Sequence, residues 1–295
     1  MSESTRHHFL PVFYLKQFTG NDGTFYIYDV AKNEFRDKKR KFAPSQQFYE
    51  HYGNTSYHKE QTSDFIEQAF TKTDTIVAAI IRKISVENWE LTAHEWTMLQ
   101  YFVNIMYWRL PVNIDKVNRY IQNAADLSAF QIKLNDNKTG ERKSKAEELT
   151  FLKKLKEDKE FPKFMKLMLP GITYPELFNK GVADAATIQA FPPLPKLISD
   201  NPIIYRKPGN ESLHTDEFIF PLTATQLLFR HKSKKIQVWS WVKIYVDILQ
   251  LLQSNKYIAV TDLTYHVTLL DHYHKYFTSP EQVRQKIFSG IVYHD

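Results

Sequence analysis

Four polar residues stand beside apolar stretches at places where their side chains could do chemistry: His8, Glu67, Arg109 and Asp200. An imidazole can take up or release a proton near neutral pH, and a guanidinium can bind phosphate oxygens through two parallel hydrogen bonds. Carboxylates can orient such a base or hold a divalent metal. Together these side chains could form one site in which Arg109 holds a phosphate and His8 serves as acid or base.

The opening stretch HHFLPVFYLKQFTG, residues 7–20, predicts the surroundings of His8. Pro11 favours the first turn of a short helix, and Tyr14, Leu15 and Phe18 then share one apolar face that belongs to the core. His8 precedes this turn, near the helix N-terminus, where the helix dipole lowers its proton affinity. A neutral imidazole there is available as a base or a ligand, or it caps the helix.

Glu67 and Arg109 both occur among apolar residues, in the stretches DFIEQAF and IMYWR. A carboxylate or a guanidinium drawn into such surroundings costs free energy unless it finds a partner. The structural hypothesis is an ion pair, either Glu67–Arg109 or Asp200–Arg109. The catalytic hypothesis gives Arg109 a phosphate to hold and His8 a role as acid or base. Glu67 and Asp200 then orient these two groups or bind a divalent metal.

Asp200 lies in the segment Ser199, Asp200, Asn201, Pro202, which has two interpretations. Asp and Asn before proline form tight turns, whereas a carboxylate at a strand end commonly holds a metal or orients a base. In the catalytic hypothesis Ser199, Asn201 and Tyr14 contact the substrate. In the structural hypothesis the segment is only a turn, and Tyr14 is buried in the core.

The composition excludes several kinds of site. The chain has no cysteine, which removes disulfides, thiolate nucleophiles and cysteine zinc sites and fits a reducing cytosol. Glycine occurs only 8 times, and neither GxGxxG nor a GxxxxGK motif followed by Ser or Thr is present. We therefore expect no nucleotide-binding loop. The cofactor stays unknown, with a divalent metal as the candidate.

The charge balance permits a polyanionic partner. The formal net charge is +6 and the pI is about 9.1, and basic runs lie at residues 38–41 and 142–166, so a nucleic-acid-binding module is a further alternative. The first residues lack the basic-then-apolar pattern of a signal peptide. Charges at Lys243 and Asp247 interrupt the longest apolar stretch. We expect a cytoplasmic protein without membrane contacts.

Hydrophobic periodicity predicts a predominantly α-helical α+β fold. Alternation in FYIYDV predicts an N-terminal β-hairpin that ends at Pro44, and a second small β element consists of strands 196–205 and 217–231. The predicted helices are residues 63–84, 93–109, 114–134, 236–255 and 261–289, and Thr92 with Glu95 forms a capping box for the second. Residues 135–148 predict a solvated loop or the start of a basic helix. Neither β element could bury a face alone, so we predict one domain over residues 1–295.

Several stretches, taken together, resemble one bacterial family. The opening signature is His8-x-x-Pro11-x-x-Tyr14-Leu15-x-x-Phe18, followed by a glycine and the strand FYIYD. The stretches DFIEQAF, YFVNIMYWRLP, LISDNP and FIFPL follow in order. Over about residues 6–255 the chain is similar to the family catalogued as domain of unknown function 4238.

The resemblance implies a biological role rather than a reaction, because the activity of the family is not established. Members occur among bacterial mobile-element and antiviral defence genes, which implies a role in conflict with phages. The leading hypothesis is an antiviral-defence-type nuclease or nucleotide-processing hydrolase with His8, Glu67, Arg109 and Asp200 in one site. The alternative is a non-enzymatic sensor or protein-interaction protein in which these residues form a structural ion-pair network. The expected partner is a nucleic acid or a phage component, and the oligomeric state stays open.

Overall fold

The computed structural model describes residues 5–58, 61–86, 89–173, 186–208, 216–233 and 235–294. Helix accounts for 50% of the protein and strand for 19%, in an α+β arrangement dominated by helix. This confirms the predicted fold class, including the N-terminal β-hairpin. Within the described ranges, no helix combines the length and the apolar character that crossing a bilayer requires.

The regular elements have the following bounds. The helices are α1 Val12–Leu15, α2 Phe65–Ile84, α3 Ala93–Arg109, α4 Ile114–Asn123, α5 Lys145–Glu157, α6 Phe161–Thr173, α7 Val242–Gln253, α8 Leu263–Tyr276 and α9 Pro280–Ser289. The first strands are β1 Arg6–His8, β2 Phe25–Asp29, β3 Glu34–Phe35, β4 Lys41–Phe42, β5 Tyr49–His51, β6 Ser56–His58 and β7 Gln61–Ser63. The later strands are β8 Ala186–Ala190, β9 Leu197–Ser199, β10 Ile204–Tyr205, β11 Phe218–Pro221, β12 Gln226–Arg230, β13 Lys235–Val238, β14 Tyr257–Val260 and β15 Ile291–His294.

Two antiparallel sheets organise the core. The larger has the strand order β3-β2-β14-β9, with β4 also paired to β2, and the smaller has the order β10-β11-β12-β8. Successive side chains of a strand point to opposite faces. Ile198 and Ala259 therefore join the core formed with α2 to α6, whereas Leu197 and Ile258 join the core formed with α7 to α9. The larger sheet is thus covered by helices on both faces.

The opening segment packs against the smaller sheet. Pro11 directly precedes α1, one position earlier than a first-turn proline, and α1 continues into a short 3-10 turn over Lys16–Phe18. Tyr14 is fully buried. Its hydroxyl donates to the carbonyl of Pro221 at 2.7 Å, and its ring stacks on Phe220 with centroids 5.4 Å apart. This apolar face, which the sequence predicts, fastens the N-terminal segment to β11.

The structure corrects several predicted bounds in the C-terminal half. The predicted strand 196–205 is two strands, β9 and β10, and the predicted strand 217–231 is likewise β11 and β12. The predicted helix 236–255 begins as strand β13, and only α7 is helical. Strand β14 lies between two predicted helices and was not predicted. Its sequence, YIAV, is too short for apolar periodicity to distinguish a strand from a helix.

The helices of the central region agree unevenly with the prediction. Helix α3 has the predicted bounds, and its capping box forms, because the Glu95 N–H donates to Thr92 Oγ1 at 3.2 Å. Helix α2 starts two residues late, with Asp64 as the residue before its first turn. The predicted helix 114–134 ends at Asn123, because Ala124 is extended. The basic helix expected after residue 135 is divided into α5 and α6.

His266 of α8 is buried between aromatic rings of the larger sheet. Its ring centroid lies 4.3 Å from that of Tyr28 and 5.2 Å from that of Phe35. The residue is 3% exposed, and its Nε2 has no hydrogen-bond partner among the described residues. Burial lowers the pKa of His266 from the usual 6.5 to about 4. The folded protein therefore resists protonation of this ring more than the unfolded chain does.

We predict that His266 destabilises the protein as the pH falls. The unfolded chain binds this proton near pH 6.5 and the folded protein near pH 4. The protein therefore has its full stability above pH 6.5 and loses stability as the pH falls toward 4. His266→Phe keeps the ring contacts and cannot titrate. Between pH 6.5 and pH 4, the unfolding free energy of the wild type should therefore fall by on the order of 2 kcal/mol more than that of the variant.

Urea denaturation at several pH values measures this difference. His274→Gln, which removes an exposed imidazole from the same helix, is the matched control and should follow the wild type at every pH. If the unfolding free energies of His266→Phe and the wild type declined in parallel, the buried imidazole would not be the source of acid sensitivity.

Candidate functional site

An open cavity of about 380 Å³ lies between the opening segment and α2. Its volume falls in the range of small-ligand sites. One wall consists of His8 and residues 11–13, the other is a face of α2, and Arg109 contributes from the end of α3. The structure therefore brings His8, Glu67 and Arg109 around one cavity, although they are far apart in the sequence.

The α2 wall is a single helix face. Its polar residues are Glu67, Thr71, Asp74, Thr75 and Arg82. These positions recur mostly three or four residues apart, which places them on the same side of a helix. The sixteen residues from the first to the last span about 22 Å along the helix axis. The wall is thus an extended polar strip, while other faces of α2 carry the buried aliphatic residues.

His8 lies in β1, where strand alternation turns His7 into the protein and His8 toward the cavity. Its Nε2 lies 3.3 Å from the carbonyl oxygen of Ser45. A carbonyl only accepts hydrogen bonds, so the neutral ring carries its proton on Nε2 and leaves Nδ1 as the basic nitrogen. Burial lowers the pKa of His8, and the charges of Arg109 and Arg6 lower it further, against the Ser45 bond and Glu67.

The neutral imidazole predicted at position 8 therefore has a different cause from the predicted one. Helix α1 is a single turn of four residues, and His8 belongs to a strand rather than to the helix N-terminus. Desolvation by the surrounding protein, not a helix dipole, is the largest effect on its pKa. The consequence for chemistry is the same, since the ring is unprotonated at neutral pH.

Arg109 is a buried cation at the last position of α3. It is 3% exposed, and its guanidinium lies over the ring of Phe70, 4.6 Å from the centroid. Its Nη1 donates to both carboxylate oxygens of Asp74, at 3.3 and 3.1 Å. The predicted partners, Glu67 and Asp200, are therefore replaced by Asp74. The Nε of Arg109 is buried and has no hydrogen-bond partner in the part of the chain that the structure describes.

The burial of this pair affects the pKa of Asp74. Burial raises the pKa of its carboxyl, the adjacent Arg109 opposes that rise, and the negative charge of Glu67 adds to it. The two carboxylates of the α2 wall thus influence each other, one of them bound to an arginine and the other held by an amide. This difference in partners gives them different chemical roles.

Glu67 is held by Asn54. The Nδ2 of Asn54 donates to Glu67 Oε2 at 2.7 Å, and the backbone N–H of Asn54 donates to Nδ1 of the buried His7 at 2.9 Å. The inner face of β1 thus fixes Asn54, which in turn orients the carboxylate beside His8. The other oxygen, Oε1, accepts no hydrogen bond from any described residue and stays open to a ligand.

Asp200 lies apart from this cavity, which corrects the prediction of a four-residue cluster. Its Oδ1 accepts from Ser254 Oγ and the Asn255 N–H, both at 2.9 Å, and its Oδ2 accepts from the N–H groups of Lys256 at 2.7 Å and Tyr257 at 3.1 Å. Burial raises the pKa of Asp200, and these hydrogen bonds lower it. Asp200 closes the loop between α7 and β14.

The three predicted substrate contacts are also corrected. Tyr14 and Ser199 are fully buried, so neither reaches a ligand at the surface. Ser199 Oγ accepts from the Asn201 N–H at 3.3 Å, which forms the predicted turn. Asn201 lines a different cavity of about 260 Å³, and its Nδ2 donates to the carbonyl of Gln253 at 3.2 Å.

The divalent metal that is the candidate cofactor has no ligand set in the described residues. No group of three or more His, Cys, Asp or Glu side chains there has an arrangement that could hold a metal ion. Glu67 and Asp200, the two candidate metal ligands of the catalytic hypothesis, lie in separate parts of the fold and cannot bind the same ion. We therefore assign no metal ligands.

The part of the chain that matches a known family contains every described residue that lines the cavity. The sequence profile of the family described as "Protein of unknown function (DUF4238)" matches residues 6–240. The chain belongs to this family. The match begins where the resemblance predicts and ends before residue 255. Searches among curated proteins and among solved structures gave no match.

Several residues of the site in this DUF4238 member were not predicted from the sequence: Asn54, Thr71, Asp74, Thr75 and Arg82. Asp74 follows Glu67 by seven residues, a spacing that returns to the same helix face and could have identified it. Arg82 continues that face at the far end of the cavity. Asn54 carries no such signal, because it lies in an irregular segment between β5 and β6. Its role follows only from its bond to Glu67.

We predict that Asp200 contributes to stability and not to activity. Asp200→Asn keeps the shape but replaces one acceptor oxygen with an NH₂ donor that faces backbone N–H groups. The unfolding free energy should fall by about 1–3 kcal/mol, measured by urea denaturation. Asp271→Asn, at an exposed position, is the control and should leave it unchanged. Unaltered stability of Asp200→Asn would contradict the structural role.

Proposed function

We propose that the cavity is an active site that cleaves a phosphate ester of a nucleic acid or a nucleotide. His8 is the general base, Arg109 binds the phosphate, and Glu67 supports the base. The observation that carries the proposal is the convergence of these three side chains, distant in sequence, around one open cavity. A basic imidazole beside a buried guanidinium is the combination that phosphoryl chemistry needs.

The proposed step proceeds by proton transfer to His8. A water molecule or a hydroxyl group attacks the phosphorus, its proton moves to Nδ1 of His8, and the bond from phosphorus to the leaving oxygen breaks. The imidazolium then gives the proton to the leaving oxygen. The carboxylate of Glu67 stabilises the imidazolium while it exists, since the negative charge of Glu67 raises the pKa of His8.

Arg109 suits the phosphate because Asp74 uses only part of its hydrogen-bonding capacity. A guanidinium has five N–H donors in a rigid plane, and only Nη1 donates to Asp74. The pair fixes the plane, so that the Nη2 donors, which are not buried, meet the negative charge that develops on the phosphoryl oxygens. A preorganised donor of this kind lowers the activation barrier because it need not reorganise during the reaction.

We propose further that this activity serves defence against phages in the bacterial cytoplasm, with a nucleic acid or a phage component as the partner. The support is the association that the family resemblance implies. Cells that carry the wild-type gene or the His8→Ala gene can be compared by phage plating. Equal plaque numbers in cells with the wild-type gene and cells without the gene would argue against defence for the phages tested.

A non-enzymatic sensor is the second candidate function. The observation in its favour is that Arg109–Asp74 and Asn54–Glu67 satisfy much of the polar cluster internally. In that case these pairs serve to fasten β1 and the opening segment to α2 and α3. The two candidates differ in what a substitution of His8 should change.

We predict that His8→Ala lowers turnover by about 10²-fold or more and leaves the melting temperature nearly unchanged, because the substitution removes the base and little apolar area. Glu67→Gln, which keeps the shape and removes the charge, should also lose activity. Hydrolysis is measured on oligoribonucleotides, oligodeoxynucleotides and ribonucleoside triphosphates, with the products separated by anion-exchange chromatography.

His94→Ala, at an exposed position of α3, is the matched control and should keep full activity. Full activity of His8→Ala would remove the catalytic hypothesis. A lower melting temperature with unchanged activity per folded molecule would support the structural network, as the sensor requires.

A further inference from the structure

The two threonines of the cavity offer hydrogen-bond acceptors and no donors. Thr71 Oγ1 donates to the carbonyl of Glu67 at 2.9 Å, and Thr75 Oγ1 donates to the carbonyl of Thr71 at 2.8 Å. A hydroxyl has a single proton, so each of these protons is already used within α2. Both side chains are exposed and present only oxygen lone pairs to the cavity.

The neighbouring groups of the α2 wall have the same character. Glu67 leaves Oε1 without a hydrogen bond from any described residue, and the carboxylate of Asp74 accepts from Arg109. Glu67, Thr71, Asp74 and Thr75 therefore form a continuous row of acceptors. A ligand complementary to this row must bring donors of its own.

Two cations limit which donors fit. Arg82 lies at the end of the same wall, is exposed and makes no ion pair with a described residue. Arg109 lies beside Asp74. Both guanidiniums offer N–H donors to an anion, so a ligand that carries neutral hydroxyl donors next to a phosphate is complementary to the acceptors and to the arginines. A ribonucleotide has this arrangement, because its ribose hydroxyls lie within a few bonds of its phosphate.

We propose that the cavity selects ribose, so that its ligand is a ribonucleotide unit whose 2′-hydroxyl donates one hydrogen bond, shared between the oxygens of Thr71 and Thr75. Arg82 binds an adjoining phosphate. This inference rests on the proposed function and narrows its substrate class. The same chemistry occurs in a free mononucleotide and in an RNA strand, and the 2′-hydroxyl is the group that distinguishes both from their DNA counterparts.

Equilibrium binding to the full-length protein tests the inference. The probes are short phosphorothioate-linked oligonucleotides, which are cleaved slowly, with ribose, 2′-deoxyribose or 2′-fluororibose. The 2′-fluoro sugar keeps an electronegative atom and lacks the donated proton. We expect the ribose probe to bind about 10-fold more tightly than the other two, because the hydrogen bond that the 2′-hydroxyl donates is lost in them. Adenosine monophosphate and its 2′-deoxy form, tested as competitors, separate a mononucleotide ligand from an RNA strand.

Two sets of variants assign the preference to named side chains. Thr71→Val/Thr75→Val should weaken only the ribose probe, by about 10-fold, whereas Thr71→Ser/Thr75→Ser keeps the hydroxyls and should keep the preference. Thr150→Val is the matched control, because Thr150 is exposed on α5 and donates to the carbonyl of Ala146 in the same way. Arg82→Ala should weaken all three probes equally, and Arg119→Ala, at an exposed position of α4, should weaken none.

The outcomes distinguish this inference from the function on which it rests. Equal binding of the three sugars by the wild type would overturn the ribose selection and leave a phosphate-directed site intact. A ribose preference that survives Thr71→Val/Thr75→Val would also overturn it, because other groups would then be responsible. Absence of binding to every oligonucleotide and nucleotide would overturn the ribose selection and the proposed function together.

Discussion

The pairing of Arg109 with Asp74 is the constraint on which the cavity depends. A buried guanidinium without a partner would cost several kcal/mol, and Arg109 is 3% exposed at the end of α3. Asp74 can meet it only if α2 turns its polar face toward α3 and the opening segment. The aliphatic residues of α2 then enter the core, and the rest of the polar face is left beside His8. One ion pair thus couples helix packing to the formation of an open polar cavity.

The stretches that carry the family resemblance divide into two groups with different physical tasks. His8, Glu67 and Arg109 meet at the cavity. Tyr14 instead joins its hydroxyl to the carbonyl of Pro221, and Asp200 receives four hydrogen bonds around the loop before β14. These contacts hold the opening segment and the larger sheet in place, so that β1 can present His8. Because side chains alternate along β1, His7 points into the protein and accepts a hydrogen bond from Asn54, whereas His8 faces the cavity.

The sequence was sufficient to predict elements whose signals are long or local. It was insufficient for features that depend on a contact with residues distant in the sequence. Helix α3 could be bounded from its capping box and its stop before Pro111, both of which act within one turn. Strand β14 could not be predicted, because its four residues owe their conformation to pairing with β2 and β9. Glu67 and Arg109 could likewise be predicted from the sequence, because a charged residue within an apolar stretch needs a partner. That Asp74, rather than Glu67 or Asp200, is the partner of Arg109 depends on how α2 lies against α3.

In the proposed function, the balance of charges in the cavity determines how a phosphate would be recognised. Glu67 and Asp74 offset Arg82 and Arg109, and the lowered pKa of His8 keeps its ring neutral. The charges of these four side chains therefore balance, and a phosphate in the proposed site would be bound by directed hydrogen bonds rather than by an excess of positive side chains. Such a site favours ligands whose hydroxyl groups also satisfy the acceptors of α2. In the proposed reaction, the proton that His8 takes up adds one positive charge to the cavity at the moment when negative charge develops on the phosphoryl oxygens, so the proton transfer itself would improve the electrostatic complementarity of the site.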